Sequence, residues 1–185
     1  ELVLNAGYLA TTFDPTAGTA PEESALLGAT TGGINFSAVP SFADFGEDID
    51  NCPKNMKELK QIESWDVKCS GTYVSASSAN VKSMLGAAEE TTTSKVSKIT
   101  PRNDLKDSDF TDLWLLCDYS DKHGTTNGGF CAIHMLNTLS TGGFSLQTGD
   151  KAKGQMSFEY TAHYSITSQD TVPCEVYIKA GEDEA

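Results

Sequence analysis

Between Met156 and Ile166 the side chains alternate in character. Met156, Phe158, Tyr160, Ala162, Tyr164 and Ile166 fall on one parity, and Gln155, Ser157, Glu159, Thr161, His163 and Ser165 on the other. A period of two marks a β-strand with one buried face. Taken as one strand, 155–167 spans roughly 40 Å, far beyond the usual five or six residues. The same period runs through 62–75, where Trp65, Val67, Cys69 and Tyr73 oppose Ser64, Asp66, Lys68, Ser70 and Thr72. It recurs in 172–179 through Val172, Cys174, Val176 and Ile178.

β-Branched and aromatic residues between turn signals predict further strands at about 1–10, 33–39, 91–100, 109–120 and 129–139. Two of these do not alternate. Leu113, Leu115 and Cys117 oppose Trp114 and Leu116, while Phe130, Ala132 and Leu136 oppose Cys131, Ile133 and Met135. Such strands need cover on both faces. One cover is a sandwich core, the other either a helix or a neighbouring subunit. The intervening "DKHGTTNGG", with Asn127-Gly128 near its end, predicts a hairpin. A single helix is predicted over 77–88, from a serine N-cap and a stripe of Val81, Met84, Leu85 and Ala88 that Gly86 weakens near its end. It would lie as a lid on a sheet edge or face.

The 185 residues are expected to form a single domain, 1–185, ending in an acidic tail at 180–185. Long loops are predicted at about 11–32 and 40–61, and loops of that length are usually functional or disordered. Phe42, Phe45 and Leu59 point to a docking role for the second, with a mobile surface loop as the alternative.

The net charge of -13 disfavours tight binding to a phosphate backbone unless the basic residues cluster. They do not, because Lys54, Lys57, Lys60 and Lys68 are interleaved with Glu58, Glu63 and Asp66. Five scattered cysteines, an odd count, argue against a disulfide scaffold and for maturation in a reducing compartment. No signal-peptide or lipidation pattern is read, and no apolar run approaches the roughly 18 residues of a membrane span, so no membrane partner is expected.

The three histidines, His123, His134 and His163, carry no nucleophile signature, and His123 and His134 read as a turn residue and a structural histidine. Cys131 and His134 form C-x-x-H without a second pair. Asp44, Glu47, Asp48 and Asp50 do not have the spacing of a calcium loop. No phosphate-cradling glycine motif occurs. The sequence singles out no catalytic residue, metal or cofactor. A β-rich chain with long loops and doubly buried strands reads as a building block.

The order of pieces resembles the major tail tube proteins of long, non-contractile-tailed (siphovirus-type) bacteriophages. "LNAGYLA" resembles their opening strand, and residues 32–88, from "GGINFSAVPSF" to "SMLGAA", their run of strand, acidic loop, Lys-containing loop, long strand and helix. "GDKAKGQMSFEYTAHYSITSQDTVPCEVYI" resembles the closing strands. The chain departs in its five cysteines and in Asn51, which stands where the family would place a glycine. The resemblance implies a mainly β fold, a β-sandwich or partial barrel flanked by one α-helix, assembled as stacked hexameric rings.

In that reading the chain is a structural subunit, not an enzyme, of a hollow conduit for genome ejection in a virion tail assembled in the bacterial host cytoplasm. Its partners are itself and the tape-measure, tail-terminator and distal tail proteins, and viral DNA passes through without specific binding. Ser64, Asp66, Ser70, Thr72, Gln155, Ser157, Glu159, Thr161, His163 and Ser165 would face the lumen, where Lys68 is the exception to a surface without net positive charge. Phe42, Phe45, Glu47, Asp48, Asp50, Lys54, Lys57 and Leu59 would form an inter-subunit loop. Other readings are the tube of a phage-derived bacteriocin particle, a secreted β-sandwich module binding carbohydrate or surfaces, and a hydrolase.

Overall fold

The computed structural model describes residues 7–118 and 129–181. Its elements are β1 (Tyr8–Ala10), β2 (Leu26–Leu27), β3 (Thr30–Asp44), β4 (Lys60–Tyr73), α1 (Ser78–Leu85), β5 (Ala88–Thr93), β6 (Val96–Pro101), β7 (Thr111–Asp118), β8 (Phe130–Ser140), β9 (Met156–Thr161) and β10 (Cys174–Lys179). The fold is mainly β. Eight strands form one sheet along the path β2-β1-β7-β8-β9-β4-β3, with β10 paired to β8, and β5 and β6 form a separate hairpin.

β8 joins the two halves of that sheet. Phe130–Met135 pair with β10, the strand pairs with β7 as far as Thr138, and Leu139 and Ser140 pair with Thr161 and Tyr160 of β9. The register slips between Thr111 and Leu113, opposite Asn137, whose φ is 48° and whose amide donates to Asp112 Oδ1 at 3.0 Å. Such a bulge bends the strand that carries it.

Alternation decides which side chains are buried. Leu9, Leu27, Leu113, Leu115 and Met135 from one half meet Val67, Cys69, Tyr73, Met156, Phe158 and Tyr160 from the other in one apolar cluster. The opposite parity of the first half makes a second cluster of Ala10, Trp114, Leu116 and Ala132, packed by Tyr8, Phe13, Phe130 and Tyr177. The doubly apolar strands are therefore covered on both sides, as their composition requires. Within the chain, the second cover is not the helix. It is Phe13, from the first long loop, set edge-on to Trp114 at 5.4 Å and to Phe130 at 5.3 Å.

The helix starts where the serine signal places it, with Ser77 Oγ accepting from the Asn80 amide at 3.1 Å. It ends at Gly86, which has a φ of 70°. Eight residues are too few to hold a helix by propensity. Met84 docks it, fully buried in the main cluster, while its carbonyl accepts from Ser140 Oγ at 2.6 Å. A fully buried methionine contributes on the order of 1.5–3 kcal/mol.

Three expectations about strands are corrected. Residues 91–100 are not one strand but the inner part of the β5–β6 hairpin, which turns at Ser94 with a φ of 60°. The alternation of 155–167 outlasts its strand, for β9 ends at Thr161. There the Ala162 amide donates to Val67 O and the His163 amide to Leu136 O, and the chain enters turns that leave Ile166 86% exposed. The strand predicted at 33–39 is the long one, β3 at 15 residues, beside β4, which has 14 where 62–75 was expected. β3 runs through Gly32, Gly33 and Pro40 with register shifts at Thr31/Ile34 and Ser41/Phe42.

Pro40 is tolerated because β3 pairs only with β4 among the described residues. Opposite it, the Trp65 amide donates away from β3, to Tyr164 Oη at 2.9 Å. Pro40 therefore sits at a position whose backbone polar groups point to the free side, where a proline costs no ladder bond. His123 and Asn127-Gly128 of the predicted turn, the first residues of the chain (1–6) and most of the acidic tail (182–185) lie outside the described residues.

Candidate functional site

The β3–β4–β9 half presents one continuous polar face. Antiparallel register sets Thr72 beside Ser157, Ser70 beside Glu159 and Lys68 beside Thr161. On the other side of β4, Thr31, Asn35, Ser37, Val39 and Ser41 stand opposite Thr72, Ser70, Lys68, Asp66 and Ser64. Directly opposed residues share a face, so twelve hydroxyl, amide and charged side chains from distant segments form one surface, with Val39 the apolar residue among them. Ser41 and Ser64 hydroxyls are 2.9 Å apart, and Thr141 Oγ1 lies 2.8 Å from Thr161 Oγ1 and donates to Glu159 Oε1 at 3.0 Å.

The charges on this face are Asp66, Lys68 and Glu159. Lys68 Nζ lies 3.1 Å from Asp66 Oδ2. The hydrogen bond and charge of Asp66, with the charge of Glu159, raise the Lys68 pKa above its ordinary value. The exception to the neutral-or-acidic pattern is thus compensated in place.

The strand pairing thus sets Ser64, Asp66, Ser70, Thr72, Ser157, Glu159 and Thr161 on one face. Gln155 precedes β9 on the same parity, bridged to Gln147. His163 and Ser165 lie past the strand and do not continue its row. His163 Nδ1 is 3.1 Å from Asn137 O with its ring edge-on to Phe110, and Ser165 Oγ is 2.8 Å from Thr167 Oγ1. The β3 residues of this face were missing from the sequence-based set, although the alternation of Ile34, Phe36 and Ala38 with Asn35 and Ser37 carries the signal as far as Val39.

The second feature is the arm made by the outer ends of β3 and β4. Beyond the register shift, Phe42, Ala43 and Asp44 pair with Ile62, Gln61 and Lys60, outside the core. Phe42, Phe45, Ile49, Met56 and Ile62 are all exposed large apolar side chains on this arm. Residues 45–59 form a chain of tight turns, not an open loop. Asp44 organises them: its Oδ1 accepts from the Gly46 amide at 3.0 Å and its Oδ2 from the Asn55 amide at 2.9 Å. The Asn55 and Gly46 bonds hold the Asp44 carboxyl below its ordinary pKa.

Asn51 has a φ of 60°, a left-handed conformation that asparagine tolerates better than most residues, which accounts for its standing where a glycine was expected. Leu59 is half-buried beside Gly46, whereas Glu47, Asp48, Asp50, Lys54 and Lys57 are exposed. Lys57 and Glu58 form an ion pair at 3.5 Å, and Lys60 Nζ sits 4.7 Å over the Phe42 ring.

A cleft of about 560 Å³ lies under the helix, lined among others by Lys82, Ser83, Glu90, Asp109, Asp112 and Tyr160. Ser83 Oγ is bonded to Tyr160 Oη at 2.9 Å, and Asp109 to Arg102 at 2.5 Å. Neither His134 nor His163 lines it. His134 stacks on Trp114 with 4.0 Å between ring centres, its Nε2 is 3.2 Å from Asp112 Oδ2 and its Nδ1 3.4 Å from Glu175 Oε2. Alternation along β8 puts Cys131 on the opposite face from His134. Among the described residues no group of three or more His, Cys, Asp or Glu side chains is placed to hold a metal ion, and no helix is long and apolar enough to cross a membrane.

Comparisons with protein-family models, with curated proteins and with solved structures find no match. The polar face and the apolar arm carry the functional reading by themselves.

Proposed function

We propose that the chain is a self-assembling structural subunit of a phage tail tube, polymerising as stacked hexameric rings around a conduit for genome ejection. The observation that carries this reading is the polar face of β3, β4 and β9, built from short hydroxyl and amide side chains with two carboxylates against one paired ammonium. A wall of that chemistry lets a polyanion slide, because it lacks the free positive charge that would hold phosphates. The arm supports the same reading. Five exposed large apolar side chains on one projecting hairpin are a contact surface in search of cover, and a subunit that docks on its own copies supplies it. In this reading the fold is the sandwich or partial barrel of that family, and the two halves sharing the main cluster are its layers.

The test is negative-stain electron microscopy of the purified protein at low and high concentration. Hollow tubes or sixfold rings are the expected result. A species that stays monomeric at every concentration, and also when mixed with preformed tail tips of the same phage, overturns the reading in favour of a monomeric binding module.

A further inference from the structure

Cys117 and Cys131 stand opposite each other in the β7–β8 ladder. Directly opposed residues of an antiparallel pair share a face, with Cα atoms about 4.5 or 5.5 Å apart. Both separations fall in the range of about 4.4–6.8 Å over which a disulfide closes. The two side chains share the parity of Leu115 and Ile133 and are half-buried, and both sulfurs are free thiols. From these placements we infer that Cys117 and Cys131 are an oxidisable dithiol, which a peroxide converts to a cross-strand disulfide.

The step balances simply. One thiol, as its thiolate, attacks the peroxide O–O bond to give a sulfenic acid and one water. The second thiolate attacks that sulfur and expels the second water, so two S–H bonds are exchanged for one S–S bond and hydrogen peroxide is reduced to two waters. Burial pushes both thiols up, and for Cys117 the neighbouring Cys131 and Asp118 add to it. The reaction is therefore slow at neutral pH and accelerates as pH rises.

The other cysteines are poorer partners. Cys69, across the main cluster on β4, also feels Cys117, but it is fully buried and its pKa is pushed up to about 12. Cys174 stands opposite Met135, and Cys52 lies at the arm tip beside Met56. The bond would close the chain between 117 and 131, a ring of about 15 residues, and shift the folding equilibrium toward the native state on the order of a hundredfold. This inference does not depend on the tube reading.

The test uses the Cys52→Ser chain, so that the surface thiol cannot link two molecules. The protein is treated with hydrogen peroxide at about pH 8, quenched, unfolded, alkylated with iodoacetamide and mapped by mass spectrometry without reduction. The expected result is a peptide pair joined through Cys117 and Cys131, lighter by two hydrogens, with Cys69 and Cys174 alkylated. A urea midpoint that rises on oxidation and falls back with dithiothreitol should accompany it. Alkyl groups on both Cys117 and Cys131, or a link from Cys117 to Cys69, overturn the inference. So does a full midpoint gain in the further variant Cys131→Ser.

Discussion

Asp44 shows how one side chain can set the shape of a whole arm tip. Its depressed pKa means that the folded state favours the carboxylate, so its contribution is complete above the unfolded value and is lost as pH falls through the folded one. The tip should therefore stay closed through the ordinary carboxylate range of about pH 4 and loosen only as pH falls below it. Amide exchange of Gly46 and Asn55, corrected for intrinsic rates, measures this, and protection that stays constant through acid would remove Asp44 from the role. At the helix start, Ser77→Ala should cost about 1 kcal/mol in urea unfolding by stranding the Asn80 amide. The Ser77 cap was legible because capping is local in sequence. The setting of His134 was not, because Asp112, Trp114 and Glu175 reach it from two other strands and no spacing encodes that meeting.

Among elements, the β3–β4 arm makes the clearest demand on a partner. Phe42 and Phe45 are 50% and 60% exposed, so replacing both with serine should leave stability within about 0.5 kcal/mol of the parent. The same variant should fail to polymerise when examined by electron microscopy, and tubes of normal length would show that the arm is not the contact. Deleting 46–56 should likewise leave a folded monomer. Strand parity was readable along β4 and through β7 and β8, since burial imposes it residue by residue. The length of β3 was not, because Gly32, Gly33 and Pro40 all signal a break, and an edge strand escapes the rule that makes them breaks. In 155–167 the failure has the opposite sign: Tyr164 and Ile166 keep the period by composition alone, past the last backbone bonds that Ala162 and His163 make to β4 and β8.

At the scale of the molecule, the polar face is a property of pairing and not of any one segment, which is why the sequence offered its β4 and β9 rows without showing that they adjoin. If that face lines a conduit, Ser157→Arg with Thr161→Arg should leave folding and tail assembly intact and slow DNA release, measured as the rate of genome ejection from triggered particles. Unchanged release from intact tails would take the two positions out of the lining. The outer side of β3 has a further consequence. An edge strand of 15 residues, unpaired on its outer side among the described residues, is an invitation to amyloid-like growth when a protein is overproduced. With no N–H to offer at Pro40, the row of outward donors is interrupted about two-thirds of the way along, and a foreign strand can zip along Thr30–Val39 or along the short remainder but not across both. One imino acid thereby acts as a gatekeeper against fibrils, and Pro40→Thr should make concentrated stocks bind thioflavin sooner than the parent.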